Sequence, residues 1–233
     1  MGRINSVFTG SAVDGPGIRS VVFFQGCPLR CVYCHNPETH QLSGGEEIEP
    51  DMLFNKISRY ANYYGKKGGV TFSGGEVLMQ PEFLTAMLKL CKNAGIHTCI
   101  DTSGCTGAAT PDQIFELCDL VILDIKMNSE EDYEKYINGS LGKTLEFLQK
   151  CEENQVPVWI RQVIVPGIND SEEQIGKLKK LVSGIKCIEK IQLLPFERLC
   201  EKKYTDMGIP FPMGDTPAMD RDRLAQLQKL AEN

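Results

Sequence analysis

The sequence predicts an α/β protein built on a parallel sheet, and three observations carry that expectation. Short runs rich in β-branched and aromatic residues alternate with amphipathic helical patterns along the chain, as repeated strand–helix–strand units do. The 233 residues are 42% hydrophobic and 24% charged, which supplies a sizeable core and argues against disorder. No Ser/Gly-rich linker or shift of composition divides the chain. One domain over residues 1–233 is therefore expected, with 196–233 as a C-terminal extension.

The first strand falls on residues 20–24 and runs into a cysteine-rich loop and a helix over 50–64. The second strand, 69–73, precedes a helix over 81–94. There Phe83, Leu84, Met87, Leu88 and Cys91 recur at helical spacing, and Gly95 supplies the stop. Residues 97–102 form the third strand, followed by a helix over 111–117 with Thr110 as its N-cap. The fourth strand covers 120–126. Ser129 then caps a helix opening on Glu130, Glu131 and Asp132, acids suited to a helix N-terminus, and a second helix covers 144–153. The fifth strand is 156–165; Ser171 with Glu172 and Glu173 opens the next helix, whose later turns carry Lys177, Lys179 and Lys180. The sixth strand, 188–194, leads into a proline-punctuated tail and a final helix over 220–231. Six strands in this alternation imply a parallel sheet, either curled toward a barrel or open and doubly wound. The glycine-rich dinucleotide turn associated with the second arrangement is missing at the first strand.

A net charge of −6 argues against nucleic-acid binding, which needs a surplus of Lys and Arg. The N-terminus lacks the apolar core of a signal peptide, and no run approaches the ~18 apolar residues of a membrane span. The start, Met1-Gly2-Arg3-Ile4-Asn5-Ser6, formally fits the permissive myristoylation pattern, but nothing else points to a membrane. A reducing cytoplasmic setting is expected, and there ten cysteines are not a disulfide framework.

Side chains two apart on a strand share a face. Thr71 with Ser73, Asp101 with Ser103, and Asp124 with Lys126 therefore fall in same-face pairs, and Arg161 adds a polar position to the fifth strand. Leu123 and Ile125 take the opposite face, against helices. Polar groups late in parallel strands mark the end where such folds place active sites. Solvation of strand ends explains one or two such groups, but a buried Asp/Lys pair is costly without a purpose.

Cys27, Cys31 and Cys34 form Cys-x3-Cys-x2-Cys in the loop after the first strand, a metal site by composition. Structural zinc usually takes four ligands in two pairs. A second Cys-x2-Cys is missing, and His35 lies too close to Cys34 to close a tetrahedron comfortably. A thioredoxin-like reading of Cys31 and Cys34 leaves Cys27 unexplained. A cubane [4Fe-4S] cluster suits thiolates, and three of them leave one iron open to a small molecule.

Together with Ser73-Gly74-Gly75-Glu76 after the second strand, this loop resembles the radical S-adenosylmethionine (SAM) superfamily. Further blocks are similar to its glycyl radical enzyme activating family, in order and over almost the whole chain. They are Val13-Asp14-Gly15-Pro16-Gly17-Ile18-Arg19, Phe23-Phe24-Gln25-Gly26-Cys27, Tyr33-Cys34-His35-Asn36, His97-Thr98-Cys99-Ile100-Asp101-Thr102, Asp124-Ile125-Lys126, Trp159-Ile160-Arg161, Val165-Pro166-Gly167 and Leu193-Leu194-Pro195.

The resemblance implies a partial (β/α)6 TIM-like barrel. Cys27, Cys31 and Cys34 would ligate a [4Fe-4S] cluster whose open iron chelates SAM. Tyr33, His35, Gly74, Gly75, Asp124, Lys126 and Arg161 would surround SAM, with Lys126 toward its carboxylate. Asp101 and Thr102 match a monovalent-cation site, and Asp14 matches a contact to the partner's glycine loop. Plainer readings stand beside these: packing around the cluster for Tyr33 and His35, a tight turn for the glycines, ion pairs for Asp101 and Arg161, and a turn residue for Asp14. The implied chemistry is reductive cleavage of SAM to a 5′-deoxyadenosyl radical, which takes a hydrogen from a glycine of a partner enzyme. The electron donor implied is flavodoxin or ferredoxin, and the chain is expected to be a monomer. Some activases of this family carry an inserted ferredoxin-like segment with two further cysteine clusters. Between Cys34 and Gly74 there is no cysteine, so the resemblance points to pyruvate formate-lyase as partner. The alternatives are an activase of another glycyl radical enzyme, or a zinc-binding interaction module that leaves Gly74, Gly75, Asp124 and Lys126 without purpose. Relatives often carry His two residues after Leu-Leu-Pro, where this chain has Glu197; no role is assigned to it. The seven other cysteines read as small buried hydrophobes, His40 as exposed, and His97 as a strand cap.

Overall fold

The computed structural model describes residues 1–106 and 110–232; the last residue of the C-terminal extension, 233, lies outside them. Among the described residues one sheet contains β1 (Gly2–Ser11), β2 (Arg19–Phe24), β3 (Glu46–Ile48), β4 (Gly69–Gly74), β5 (His97–Thr102), β6 (Leu120–Asp124), β7 (Val158–Ile164) and β8 (Ile188–Pro195). Their order is β3-β1-β2-β4-β5-β6-β7-β8. From β2 through β8 the neighbours in that order run parallel. These are the six strands the sequence predicts, and they curl as a partial barrel.

Two strands escaped the sequence reading. β1 pairs antiparallel with β2 and with β3, extending the sheet beyond its parallel part. Its signal was present as alternation: in the first half of β1, Gly2 and Ile4 are buried and Arg3 and Asn5 are half-buried, the period-2 pattern of a one-sided strand. β3 is only three residues long, too short for a pattern to register.

The helices are α1 (Pro50–Ser58), α2 (Ala61–Tyr64), α3 (Pro81–Asn93), α4 (Asp112–Leu117), α5 (Glu130–Ile137), α6 (Leu141–Glu153), α7 (Glu172–Val182), α8 (Glu201–Asp206) and α9 (Arg221–Glu232). The expected helix over 50–64 is two helices, and the N-cap position of α4 is Pro111 rather than Thr110. α6 begins three residues earlier than expected, because Ser140 accepts from the Lys143 amide and starts the helix at Leu141. Ser129 and Ser171 cap α5 and α7 as expected, accepting from the amides of Asp132 and Gln174.

Strand parity sorts the sheet into two faces. Val70, Phe72, Ile100, Val121, Leu123 and Ile160 belong to the core built with the helices, with Leu84, Met87 and Leu88 of α3 packed in the same cluster. The opposite parity faces the concave interior: Arg19, Thr71, Ser73, Cys99, Asp101, Asp124 and Arg161. β8 is the outer edge of the sheet, and α9 covers it. Gln228 donates to the Ile191 carbonyl at 2.8 Å and accepts from the Leu193 amide at 2.7 Å.

Candidate active site

At the C-terminal ends of the parallel strands lies a cavity of about 280 Å³, and every site residue singled out in the sequence lines it. One wall is the loop between β2 and β3. Its backbone is tied to itself and to its neighbours: the Gly26 amide donates to the Thr39 carbonyl at 2.8 Å, and Cys34 to Cys31 at 3.1 Å. Arg30 and Val32 donate to the carbonyls of Ile137 and Tyr136 in the last turn of α5, both at 2.9 Å. The loop thereby holds Cys27, Cys31 and Cys34 as free, half-buried thiols on one side of the cavity.

Burial pushes the thiols of Cys27 and Cys31 up to about 12, and that of Cys34 in the same direction. Burial thus favours the neutral thiols, and a metal group must displace their protons on binding. Among the described residues no three His, Cys, Asp or Glu side chains gather closely enough to hold a single metal ion. In a cubane each thiolate takes a different iron, so the sulfurs stand further apart than around one ion. The donor set fits that group: three thiols on one loop, facing one cavity.

His40, expected to be exposed, is half-buried, and its Nε2 lies 3.3 Å from the Cys34 sulfur. The sequence reading also missed the clasp that the C-terminal extension places on this loop. Tyr204 of α8 donates to the Cys34 carbonyl at 3.1 Å. Lys203 donates to the His35 carbonyl at 3.0 Å, to Asn36 Oδ1 at 2.9 Å and to Glu38. His35 Nε2 meets the Glu197 carbonyl at 3.0 Å. These partners lie some 165 positions apart in the chain, and no local pattern could have paired them. Tyr33 is buried, and its hydroxyl donates to the Lys126 carbonyl at 3.1 Å.

The opposite wall is the rim of strand ends. At Gly74 φ is +115°, and a Cβ would sit 2.3 Å from the Phe24 amide nitrogen; at Gly75 it would sit 2.2 Å from the Gly26 carbonyl oxygen. Both positions need glycine because the turn after β4 presses against the end of β2 and the cysteine loop. Glu76, one residue on, is buried and fully engaged. Its carboxylate accepts from the Thr102 hydroxyl, from the Ser103 amide at 2.9 Å and from the Ser103 hydroxyl at 2.6 Å. The hydroxyl of Thr102, a candidate cation ligand, gives its proton to Glu76 and accepts from the Gly104 amide at 3.0 Å, which leaves one lone pair on its oxygen.

β6 ends at Asp124, so Lys126 lies just beyond it, yet the two side chains meet at 2.5 Å. Burial works most strongly against the charged ammonium, but Asp124 together with the neighbouring Cys31 and Tyr33 outweighs it and holds Lys126 well above its ordinary value. Asp101 accepts from Ser73 at 2.9 Å and faces Arg161 at 3.5 Å. Burial, against the pull of Arg161, raises its carboxyl to about 6. Arg161 also donates from Nη2 to the Val13 carbonyl at 3.0 Å, while its Nε is buried without a partner. A buried donor left unpaired beside a cavity is suited to an acceptor supplied by a ligand. Asp14 reaches the same cavity from the turn between β1 and β2, its carboxylate accepting from the Ser11 hydroxyl.

Residues 21–178 match the family model of the radical SAM superfamily. The chain is similar to the pyruvate formate-lyase-activating enzyme of Clostridium pasteurianum, 48% identical over 231 residues that span 98% of this chain and 96% of the relative. It is 37% identical to the pyruvate formate-lyase 1-activating enzyme of Escherichia coli K12 over 235 residues, 100% of this chain and 96% of that one. Among solved structures, a domain of a pyruvate-formate lyase-activating enzyme from Bacteroides vulgatus superposes with a TM-score of 0.58 at 25% identity, covering 71% of this chain and 93% of that domain. A radical SAM methyltransferase from Sphaerobacter thermophilus gives 0.68 over 92% of this chain and 63% of its own; at 15% identity it speaks for the fold alone.

Proposed function

We propose a function from one premise: the chain belongs to the radical SAM superfamily, and within it to the family of pyruvate formate-lyase-activating enzymes. On that reading it is an iron–sulfur and SAM-dependent activase that installs a glycyl radical on pyruvate formate-lyase. The observation that carries it is convergence: three thiols, the Asp124–Lys126 pair and Arg161 line one cavity. When bound, the [4Fe-4S] cluster supplies the electron that cleaves SAM, and the radical fragment takes a hydrogen from the partner's glycine.

The chain's own groups provide binding and orientation. Cys27, Cys31 and Cys34 hold the cluster. Lys126, kept charged by Asp124, and Arg161 recognise a carboxylate such as that of the SAM methionine. Tyr33 and His35 flank the bound SAM, and the backbone at Gly74 and Gly75 lies beside it. Asp101 and Thr102 form the proposed monovalent-cation site. Asp14 meets the partner's glycine loop. Flavodoxin or ferredoxin is the proposed electron donor. We also assign a monomer, a cytoplasmic setting and a single domain with residues 196–233 as an extension; among the described residues no helix is long and apolar enough to cross a membrane.

Anaerobic reconstitution with iron and sulfide tests the reading. The expected result is a brown protein whose reduced EPR signal changes on adding SAM, followed by a glycyl radical doublet on pyruvate formate-lyase. A colourless zinc protein would overturn the cluster, and a doublet raised only on a different glycyl radical enzyme would overturn the partner.

A further inference from the structure

Arg19 opens β2 and is fully buried, yet no carboxylate is among its hydrogen-bond partners, which are a hydroxyl, three carbonyls and, at 3.3 Å, the His97 Nδ1. Nε donates to the Thr71 hydroxyl at 2.7 Å, Nη1 to the Pro16 carbonyl at 2.9 Å, and Nη2 to the Val70 carbonyl at 2.7 Å and the His97 carbonyl at 3.3 Å. Burying such a charge is costly, and a neutral side chain of similar volume often fills the same space at no loss of stability. What the charge adds is direction. A guanidinium only donates, so the Thr71 oxygen must accept from Arg19 and spend its single proton elsewhere. That proton goes to the Asp14 carbonyl, at 2.6 Å.

The turn that carries Asp14 is thus pinned at three carbonyls by side chains from three strands: Val13 by Arg161 of β7, Asp14 by Thr71 of β4, and Pro16 by Arg19 of β2. Its backbone is locked as well. Gly17 has φ +70°, and a Cβ there would sit 2.5 Å from the Gly68 amide nitrogen.

We propose that Arg19 and Thr71 are positioning residues for the partner: their hydrogen-bond relay fixes the turn between β1 and β2 so that Asp14 meets the incoming glycine-containing loop without reordering. The inference rests on the activase reading and adds residues that touch neither cluster nor SAM. A preset turn spares the complex the cost of ordering it on docking, so its loss falls on recognition of the partner rather than on SAM chemistry.

The test uses cluster-loaded protein in two assays, release of 5′-deoxyadenosine with chemical reductant and no partner, and the KM for pyruvate formate-lyase in glycyl radical formation. Thr71→Val keeps the volume and breaks the relay. It is expected to raise that KM about tenfold, as suits one unsatisfied buried donor, while partner-free SAM cleavage stays at the wild-type rate. Thr71→Ser, which retains the hydroxyl, restores the KM. An unchanged KM in T71V, or a matching fall in partner-free cleavage, overturns the proposal. If T71V does not fold, Arg19→Lys decides by the same two assays, because it keeps the charge and loses the Nε donor. Failure of the activase reading looks different: wild-type protein then gives no doublet on pyruvate formate-lyase at all.

Discussion

The cysteine loop and the strand-end rim build one cavity by opposite means. The loop brings its three thiols together by short spacing and then depends on distant residues, Lys203 and Tyr204, to hold it. The rim gathers Ser73, Asp101, Asp124 and Arg161 from four strands, each placed by sheet register and parity, and needs no clasp. Irregular backbone can carry any ligand spacing but must be tied down from outside. A sheet supplies rigidity, but only at positions its pleat allows.

The contrast is sharpest for Cys31→Ala. Losing one of three thiolates is expected to abolish the reduced cluster's EPR signal and all glycyl radical formation, since the remaining two cannot substitute. On the rim, Lys126→Met should leave the cluster in place and weaken SAM binding ~30-fold, the size of a lost charge-assisted hydrogen bond of about 2 kcal/mol; calorimetric titration reads it. Equal damage to cluster and SAM affinity in both variants would erase the distinction between the two walls.

Asp101 gives a pH signature of the rim. Its carboxyl is raised by burial from 3.8 to about 6, so the folded protein holds this proton more tightly than the unfolded chain does. Stability from this group is present below its unfolded value and is lost as pH rises through about 6, by at most ~3 kcal/mol. Asp101→Asn should flatten that part of a denaturation-versus-pH curve. A curve of unchanged slope would show that Arg161 cancels the burial. The smallest effect is expected at the clasp: Tyr204→Phe removes one hydrogen bond to the Cys34 carbonyl, worth ~1 kcal/mol, and should appear as faster release of iron to a chelator with SAM affinity unchanged.

This division also sets what was legible in the chain. The six parallel strands and the rim residues followed from periodicity, because alternation on a strand is local. The thiols followed from spacing, which is local too. Asp124 and Lys126 were paired correctly for a reason only partly right: β6 stops at Asp124, and the ion pair rather than strand parity brings Lys126 back beside it. His40 was misjudged because its burial depends on the loop folding back onto Cys34. The buried Glu76 knot, the clasp from α8 and the partners of Arg19 join residues far apart in the chain, and only the folded topology brings them together.

The outer edge of β8 carries one more consequence. A strand at the margin of a sheet offers bare amides and carbonyls to any other chain. Here the primary amide of Gln228 takes both roles of a peptide group, accepting from Leu193 and donating to Ile191, so one side chain acts as the missing ninth neighbour for part of that edge. α9 is in this sense a counterfeit strand, and a chain lacking it should stick to its own copies before it loses its fold.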